Sequence, residues 1–318
     1  MGSDITGLHH VGHVVRDLAE ALALYRRLGF VVPPPAYPAM APCEGAAPEP
    51  FGAANTHADF ARDFVELATP VDPGARLPDD ATLVPLHAPP DVLPVLLERI
   101  AATSANLATC LDRFEGLHIL MFSSSDVDGT AARLTAAGVR HGGVNAVRRP
   151  VRPDLVETVR YLEVDGERAG VVAEGRIGVV ADLDPEIQAT RVPAHPNGAV
   201  ALLEAVLCVP VADLAEVEAR YRRYLDVDPV DEGVTRVFAV GSARLTLVAD
   251  RDLGALLPGE RAVAVPALVA FTVGVTDRAV TARYFHEHGL PFEIADSGDM
   301  FVPARSALGA AVIFRHMA

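Results

Sequence analysis

The side chains able to do chemistry in this chain are histidines and carboxylates, because all 27 basic residues are arginine and lysine is absent. That one fact removes a P-loop lysine, a Schiff-base lysine and a lysine general base. Among the 11 histidines, His57 shares one face of a strand-like run with Asn55 and Asp59, since side chains two apart on a strand point the same way. An imidazole and an amide so placed can contact a substrate, with His57 as general base and Asn55 as a binding group. A surface strand histidine is an equal reading. His286 and His288 are two apart on a helical pattern, a spacing that does not share a face. No G-x-S-x-G, G-x-G-x-x-G or H-E-x-x-H occurs, so hydrolase, dinucleotide and zincin readings lack support. Cys43, Cys110 and Cys208 are widely spaced with no C-x-x-C, which argues against both a disulfide framework and a zinc knuckle. Cys43 also has no basic neighbour to lower its pKa, so it is a poor nucleophile.

The elements that position these groups repeat. Gly7, Leu8 and His9 open a strand-like run, Asp17 caps a helix with Glu20 three residues on, and Gly29 ends it. The same order returns 109 positions later as Gly116, Leu117 and His118, then Asp126, then Gly138. Two weaker copies follow, one leading into Asp213 and the other into Asp277. A strand-helix unit cannot hide its own apolar face, so such copies must pair.

Within the first copy, residues 31–50 are rich in proline and read as an irregular excursion, and 55–60 and 63–69 read as two strands. Residues 92–114 carry apolar side chains at helical spacing and form an inserted helix. The stretch 190–198 is the expected boundary between a domain of residues 1–190 and one of residues 191–318. In that hinge His195 and Asn197 are expected to order the turn.

Composition limits the partners. A formal charge of -15 disfavours nucleic acid, which needs a basic face. Arg148, Arg149 and Arg152 cluster in what reads as a proline-flanked, solvated loop. No apolar run approaches the roughly 20 residues of a membrane helix, and no secretion signal is visible near Met1. A cytoplasmic protein with a small-molecule partner is therefore expected. Half of the residues are apolar, enough for a large core.

A strand, a helix and three antiparallel strands, repeated in pairs, resembles the βαβββ module of the vicinal oxygen chelate superfamily. That superfamily holds glyoxalase I, extradiol dioxygenases, fosfomycin-modifying enzymes and bleomycin-sequestering proteins. The resemblance is greatest to its glyoxalase-like domain group. It is carried by the run from His10 through Asp17 to Leu18, by Tyr25, by Gly29 with Phe30, by the strand from Phe64 through Glu66 to Ala68, and by the hinge from His195 to Ala199. It implies an α+β fold of four βαβββ modules. These form two paired-module cupped sheets, antiparallel or mixed, with helices outside. It also implies one divalent metal (Fe, Mn, Ni or Zn) acting on a small oxygenated organic molecule, by lyase, isomerase or dioxygenase chemistry. Two modules in one chain remove the need to dimerise, which leaves monomer or homodimer.

His10 holds the place of the superfamily's first-strand metal ligand, and Glu66 that of its last-strand carboxylate. An imidazole and a carboxylate supply two ligands and leave positions open for substrate oxygens. By symmetry the third ligand belongs to the first strand of the second copy. There the ungapped repeat sets Ile119 opposite His10, and a one-residue bulge would be needed to turn His118 inward. Gly178 stands where Glu66 does, so the four-ligand pattern of glyoxalase I is not met. The third and fourth copies offer Val206 and Ala270, and Glu204 is out of register by two. An alternative of another class is a metal-free protein that sequesters a small molecule in the cup. The absence of tryptophan speaks against it, because flat ligands are usually held by stacking.

Overall fold

The structure is a computed structural model describing residues 4–41, 43, 45–72, 74, 76–86, 89, 91–152, 155–165 and 172–317, with residues 148–152 and 155 given by backbone alone. The first module runs β1 (Ile5–Val14), α1 (Leu18–Arg27), β2 (Ala36–Met40), β3 (Glu49–Pro50), β4 (Ala53–Asp59) and β5 (Phe64–Pro70). After it come β6 (Thr82–Pro85) and the inserted α2 (Leu93–Arg113). The second has β7 (Gly116–Ser124), α3 (Val127–Ala136), β8 (Asn145–Arg152), β9 (Leu155–Glu163) and β10 (Arg176–Ala181), then the short α4 (Pro185–Ala189). The third has β11 (Ala199–Val209), α5 (Leu214–Leu225), β12 (Val230–Glu232), β13 (Thr235–Val240) and β14 (Ala243–Ala249), then α6 (Leu253–Leu256). The fourth has β15 (Ala267–Val275), α7 (Arg278–Glu287), β16 (Glu293–Ile294), β17 (Met300–Val302) and β18 (Ala311–His316). No helix among the described residues is long and apolar enough to cross a membrane.

The first, second and fourth modules start the same way for the same reasons. Asp17 accepts from the backbone N–H of Ala19 and Glu20, Asp126 from Gly129 and Asp277 from Ala279, each satisfying a donor that the helix start leaves orphaned. Leu18, Ala21, Leu22 and Tyr25 then bury one face of α1 on the sheet. Gly29 ends the turn at φ 85°, and a Cβ there would meet Asn197 and Tyr284 at 2.9 and 2.8 Å.

Within every module the first strand runs parallel to the last: β1 with β5, β7 with β10, β11 with β14, β15 with β18. Modules then join through antiparallel first strands, β1 to β7 and β11 to β15. This makes an N-terminal and a C-terminal cup, linked by a single pairing of Leu268 with Leu117 and by one core that spans both. Phe30 and Phe60 of the first module meet His195 of the hinge, and Phe30 stacks on Phe314 at 6.1 Å. In the hinge the Val31 N–H donates to His195 Nδ1, and Asn197 Nδ2 donates to the Leu28 carbonyl.

Three sequence expectations change. The proline-rich excursion contains β2 and β3, and β2 pairs in parallel with β6. The arginine cluster lies in a strand, β8, rather than a loop; Pro150 is tolerated because among the described residues β8 pairs only with β9 and so is an edge. The side chains of Arg148, Arg149 and Arg152 lie outside the described residues. Last, the first strands carry one-residue bulges within their antiparallel seams: Thr6 and His9 on β1, His118 on β7, Val200 and Leu203 on β11 and Val269 on β15 are the extra residues.

Candidate functional site

The inner surface of the N-terminal cup holds a cavity of about 320 Å³ lined by His9, His10, Asn55, His57 and Glu66, with apolar walls from Phe64, Ile119, Met121 and Val180. Three strands bring the polar groups together. On β1, Gly12 is in register with Glu66 of β5, and His57 of β4 lies directly across from Glu66. His10 is one strand pair away, beside Phe64.

His10 Nε2 lies 3.7 Å from Glu66 Oε2, and His57 Nε2 lies 4.0 Å from Glu66 Oε1. The carboxylate is oriented by Asn55, whose Nδ2 donates to Oε1 at 2.8 Å. Phe64 packs between the imidazoles, stacked on His10 at 4.5 Å and 8° and tilted on His57 at 4.5 Å. Across the cup Tyr161, Glu163 and Arg176 complete the lining. Burial works against the Arg176 charge, but Glu163 and the nearby Glu66 outweigh it and hold its pKa above the ordinary value. Burial, and then the Glu163 charge, raise the Tyr161 phenol.

Four of the five residues singled out from sequence therefore line one cavity: His10, Glu66, His57 and Asn55. His118 does not. The bulge that was needed to turn it exists, yet its ring is fully buried away from the cavity, 4.3 Å from the Phe114 ring, with Nε2 2.9 Å from the Phe114 carbonyl. Burial lowers its pKa to about 4. The third-ligand expectation for His118 is corrected on that geometry. Asp59, expected on the face of His57, lies at the end of β4 and takes a hydrogen bond from Gln188 Nε2.

The strand registers fix which positions correspond. Exchanging β1 and β7 about the Val11–Leu120 pair sends His10 to Ile119 and Glu66 to Gly178. Neither can donate to a ligand, and a Cβ on Gly178 would stand 2.4 Å from the Leu162 carbonyl oxygen. In the C-terminal cup the counterpart of His10 is Glu204, not Val206, because Glu204 pairs with Arg244 and Thr272 as His10 pairs with Phe64 and Met121. The apparent two-residue offset comes from aligning helix caps, which a short 3-10 turn at Val211–Asp213 displaces.

Sequence reading missed His9, Arg176, Tyr161 and Glu163. Strand alternation does place Tyr161 and Glu163 on one face. His9 escapes that rule because it is the bulge residue. A divalent ion fits these residues in kind, since imidazole and carboxylate suit Mn, Fe, Ni or Zn. The protein's contribution is open: among the described residues no three His, Cys, Asp or Glu groups are spaced to enclose an ion.

A glyoxalase-like domain profile matches residues 8–225. No curated protein sequence matches the chain significantly. A hypothetical protein from Staphylococcus aureus aligns over 98% of this chain and 99% of its own, with TM-score 0.58 and 9% identity. A mutant of 4-hydroxymandelate synthase from Streptomyces coelicolor aligns over 98% and 93%, with TM-score 0.56 and 14% identity. A Mn(II)-bound glyoxalase from Novosphingobium aromaticivorans aligns over 99% and 83%, with TM-score 0.52 and 12% identity. At such identities the likeness to these structures is one of fold. With two-thirds of its length matching the profile and two paired-module cups, the chain belongs to the glyoxalase-like domain family of the vicinal oxygen chelate superfamily.

Proposed function

We propose that this protein is an enzyme that takes a small oxygenated organic molecule into the N-terminal cup, at a divalent ion held by His10 and Glu66. One observation carries the reading: an imidazole and a carboxylate from neighbouring strands converge in one concave sheet, 3.7 Å apart. When bound, the ion supplies a Lewis acid for substrate oxygens. Every other contribution belongs to the chain. His10 presents Nε2 toward Glu66, and Asn55 holds one carboxylate oxygen so that the other faces His10. His57, with its side chain 22% exposed, is the group placed to take a proton from bound substrate. Ile119, Met121 and Val180 form a dry wall that strengthens polar contacts inside the cup. His10 and Glu66 would supply two ligands and would leave further positions for solvent and substrate oxygens.

A second reading, metal-free sequestration of a small molecule, is favoured by the non-ligating Ile119 and Gly178 at the related positions. Titration with Mn(II), followed by electron paramagnetic resonance, separates the two. The enzyme reading expects about one bound Mn(II) per chain, lost in the His10→Ala, Glu66→Ala variant. Equal uptake by both proteins overturns it and leaves sequestration.

A further inference from the structure

We infer that Arg176 and Tyr161 form a carboxylate-binding end of the N-terminal cup, across from His10 and Glu66, so that the substrate is a small organic acid. This rests on the reading that the cup takes an oxygenated molecule, and it names the group that orients it. Strand symmetry locates the pair. The exchange of β1 and β7 that sends Glu66 to Gly178 also sends Phe64 to Arg176, His57 to Glu163 and Asn55 to Tyr161. The second half of the cup therefore lacks the ligand positions but keeps polar groups. It sets a guanidinium where the first half sets a phenyl ring.

Arg176 is held in one orientation. Its Nε donates to Glu163 Oε2 at 3.2 Å and its Nη2 to Glu163 Oε1, a two-point pairing that fixes the guanidinium plane. Those bonds leave Nη1 with no hydrogen-bond partner among the described residues, and the atom is not sealed in the core. Tyr161, two residues from Glu163 on the same strand face, also lines the cavity, and its hydroxyl has no hydrogen-bond partner among the described residues. A guanidinium drawn largely out of water is costly while donors stay unfilled.

A carboxylate suits what remains. It accepts from a fixed guanidinium edge with charge assistance, and from a phenol that donates. The charge balance agrees. Two carboxylates, Glu66 and Glu163, and one guanidinium line the cavity, so a divalent ion would leave one net positive charge. One carboxylate cancels it, whereas a phosphate dianion would overshoot.

The test is isothermal titration calorimetry of the full-length protein with Mn(II) present, using butyrate and cyclohexanecarboxylate, each beside its amide. Wild type is expected to bind the acids about 10–100-fold more tightly than the amides. Arg176→Gln combined with Glu163→Gln exchanges the ion pair for an amide pair, leaves no unpaired charge, and is expected to abolish the preference. Arg176 also borders a cavity of about 130 Å³ that Tyr161 does not line. Tyr161→Phe therefore reports on the cup, and is expected to weaken acid binding about fivefold. Equal binding of acid and amide by wild type overturns the proposal. So does a preference that survives in Arg176→Gln, Glu163→Gln, or acid binding that Tyr161→Phe leaves unchanged. In the His10→Ala, Glu66→Ala variant the preference is expected to persist. A preference lost there and kept in the Arg176 variant puts the acid on the ion, so this proposal fails and the ion-holding reading stands. If wild type and the His10→Ala, Glu66→Ala variant take up Mn(II) equally, the ion-holding reading fails, and the Arg176 comparison still decides the carboxylate end.

Discussion

The two cups put a polar side chain at the same place on the same kind of strand and treat it in opposite ways. In the N-terminal cup His10 faces a cavity and meets Glu66 across an open gap. In the C-terminal cup Glu204 is 2% exposed and takes hydrogen bonds from Thr246, Thr272, Arg244 and Arg315. The difference lies in the facing residues. Phe64 and Val180 stand where Arg244 and Arg315 stand, and Glu66 where Thr246 does. One cup keeps its polar groups on the wall of a cavity; the other has buried them as internal structure. Fold symmetry therefore fixes where a site can be, and the facing side chains decide whether it is available.

The sharpest way to break this comparison is to remove the carboxylate from each cup in turn. Glu204→Ala leaves two guanidiniums without their shared partner and is expected to cost about 3 kcal/mol, the low end for a broken buried pair because both arginines reach solvent. Glu66→Ala, freeing a group that faces a cavity, is expected to cost under about 1 kcal/mol. Urea unfolding of the two variants checks the contrast, and equal losses would erase it. Burial opposes the Glu204 charge, yet Arg315, Arg244 and the Thr246 hydroxyl together hold its pKa below the ordinary value. Its contribution is accordingly present above the unfolded carboxylate pKa and is lost as pH falls through the lower folded value.

How much of this was legible follows from what each feature writes into sequence. The module repeat was readable because a helix start has a chemical signature: Asp17, Asp126 and Asp277 all cap as expected. Asp213 makes no such side-chain bond, and the register of the third module was misjudged at that place. The pairing of His10 with Glu66 was readable from strand order and face. The bulges were not, because a bulged residue needs no special type: Thr, His, His, Val, Leu and Val occupy the six. His9 was misplaced by the rule of alternation, Glu204 was set two residues off by aligning helix caps, and β8 was missed because Pro150 reads as a breaker until the strand is known to be an edge.

A second prediction concerns the joint between cups. Asp63, in the turn between β4 and β5, accepts from the Leu202 N–H of β11 at 2.7 Å. Burial raises its pKa to about 7, outweighing that hydrogen bond and Arg62. The folded protein thus keeps a proton that the unfolded chain releases near pH 4. Stability contributed here is complete below about pH 4, declines as pH rises toward about 7, and levels off above it. Asp63→Asn retains an acceptor for Leu202 and removes the charge. It is expected to match wild type near pH 4 and exceed it at pH 8 by on the order of 2 kcal/mol. Parallel pH profiles for the two proteins in urea unfolding would show that the joint is not where the cups sense acid.

The smallest expected effect tests the site by what lies beside it. His118 is related to His9 by the β1–β7 symmetry and sits on the same kind of bulge, yet it turns into the core. With its Nε2 on the Phe114 carbonyl and burial holding its pKa near 4, it is a neutral structural donor. His118→Leu keeps the apolar packing and leaves that carbonyl without its donor, at a cost of about 1 kcal/mol. Mn(II) affinity is expected to stay within about twofold of wild type, because neither His10 nor Glu66 loses a contact. A large drop in affinity without loss of folding would bring His118 back as a ligand and would mean that the ring swings toward the cup when the ion binds. An unchanged affinity would show that this ring ties down the strand behind the cup and has no part in holding the ion.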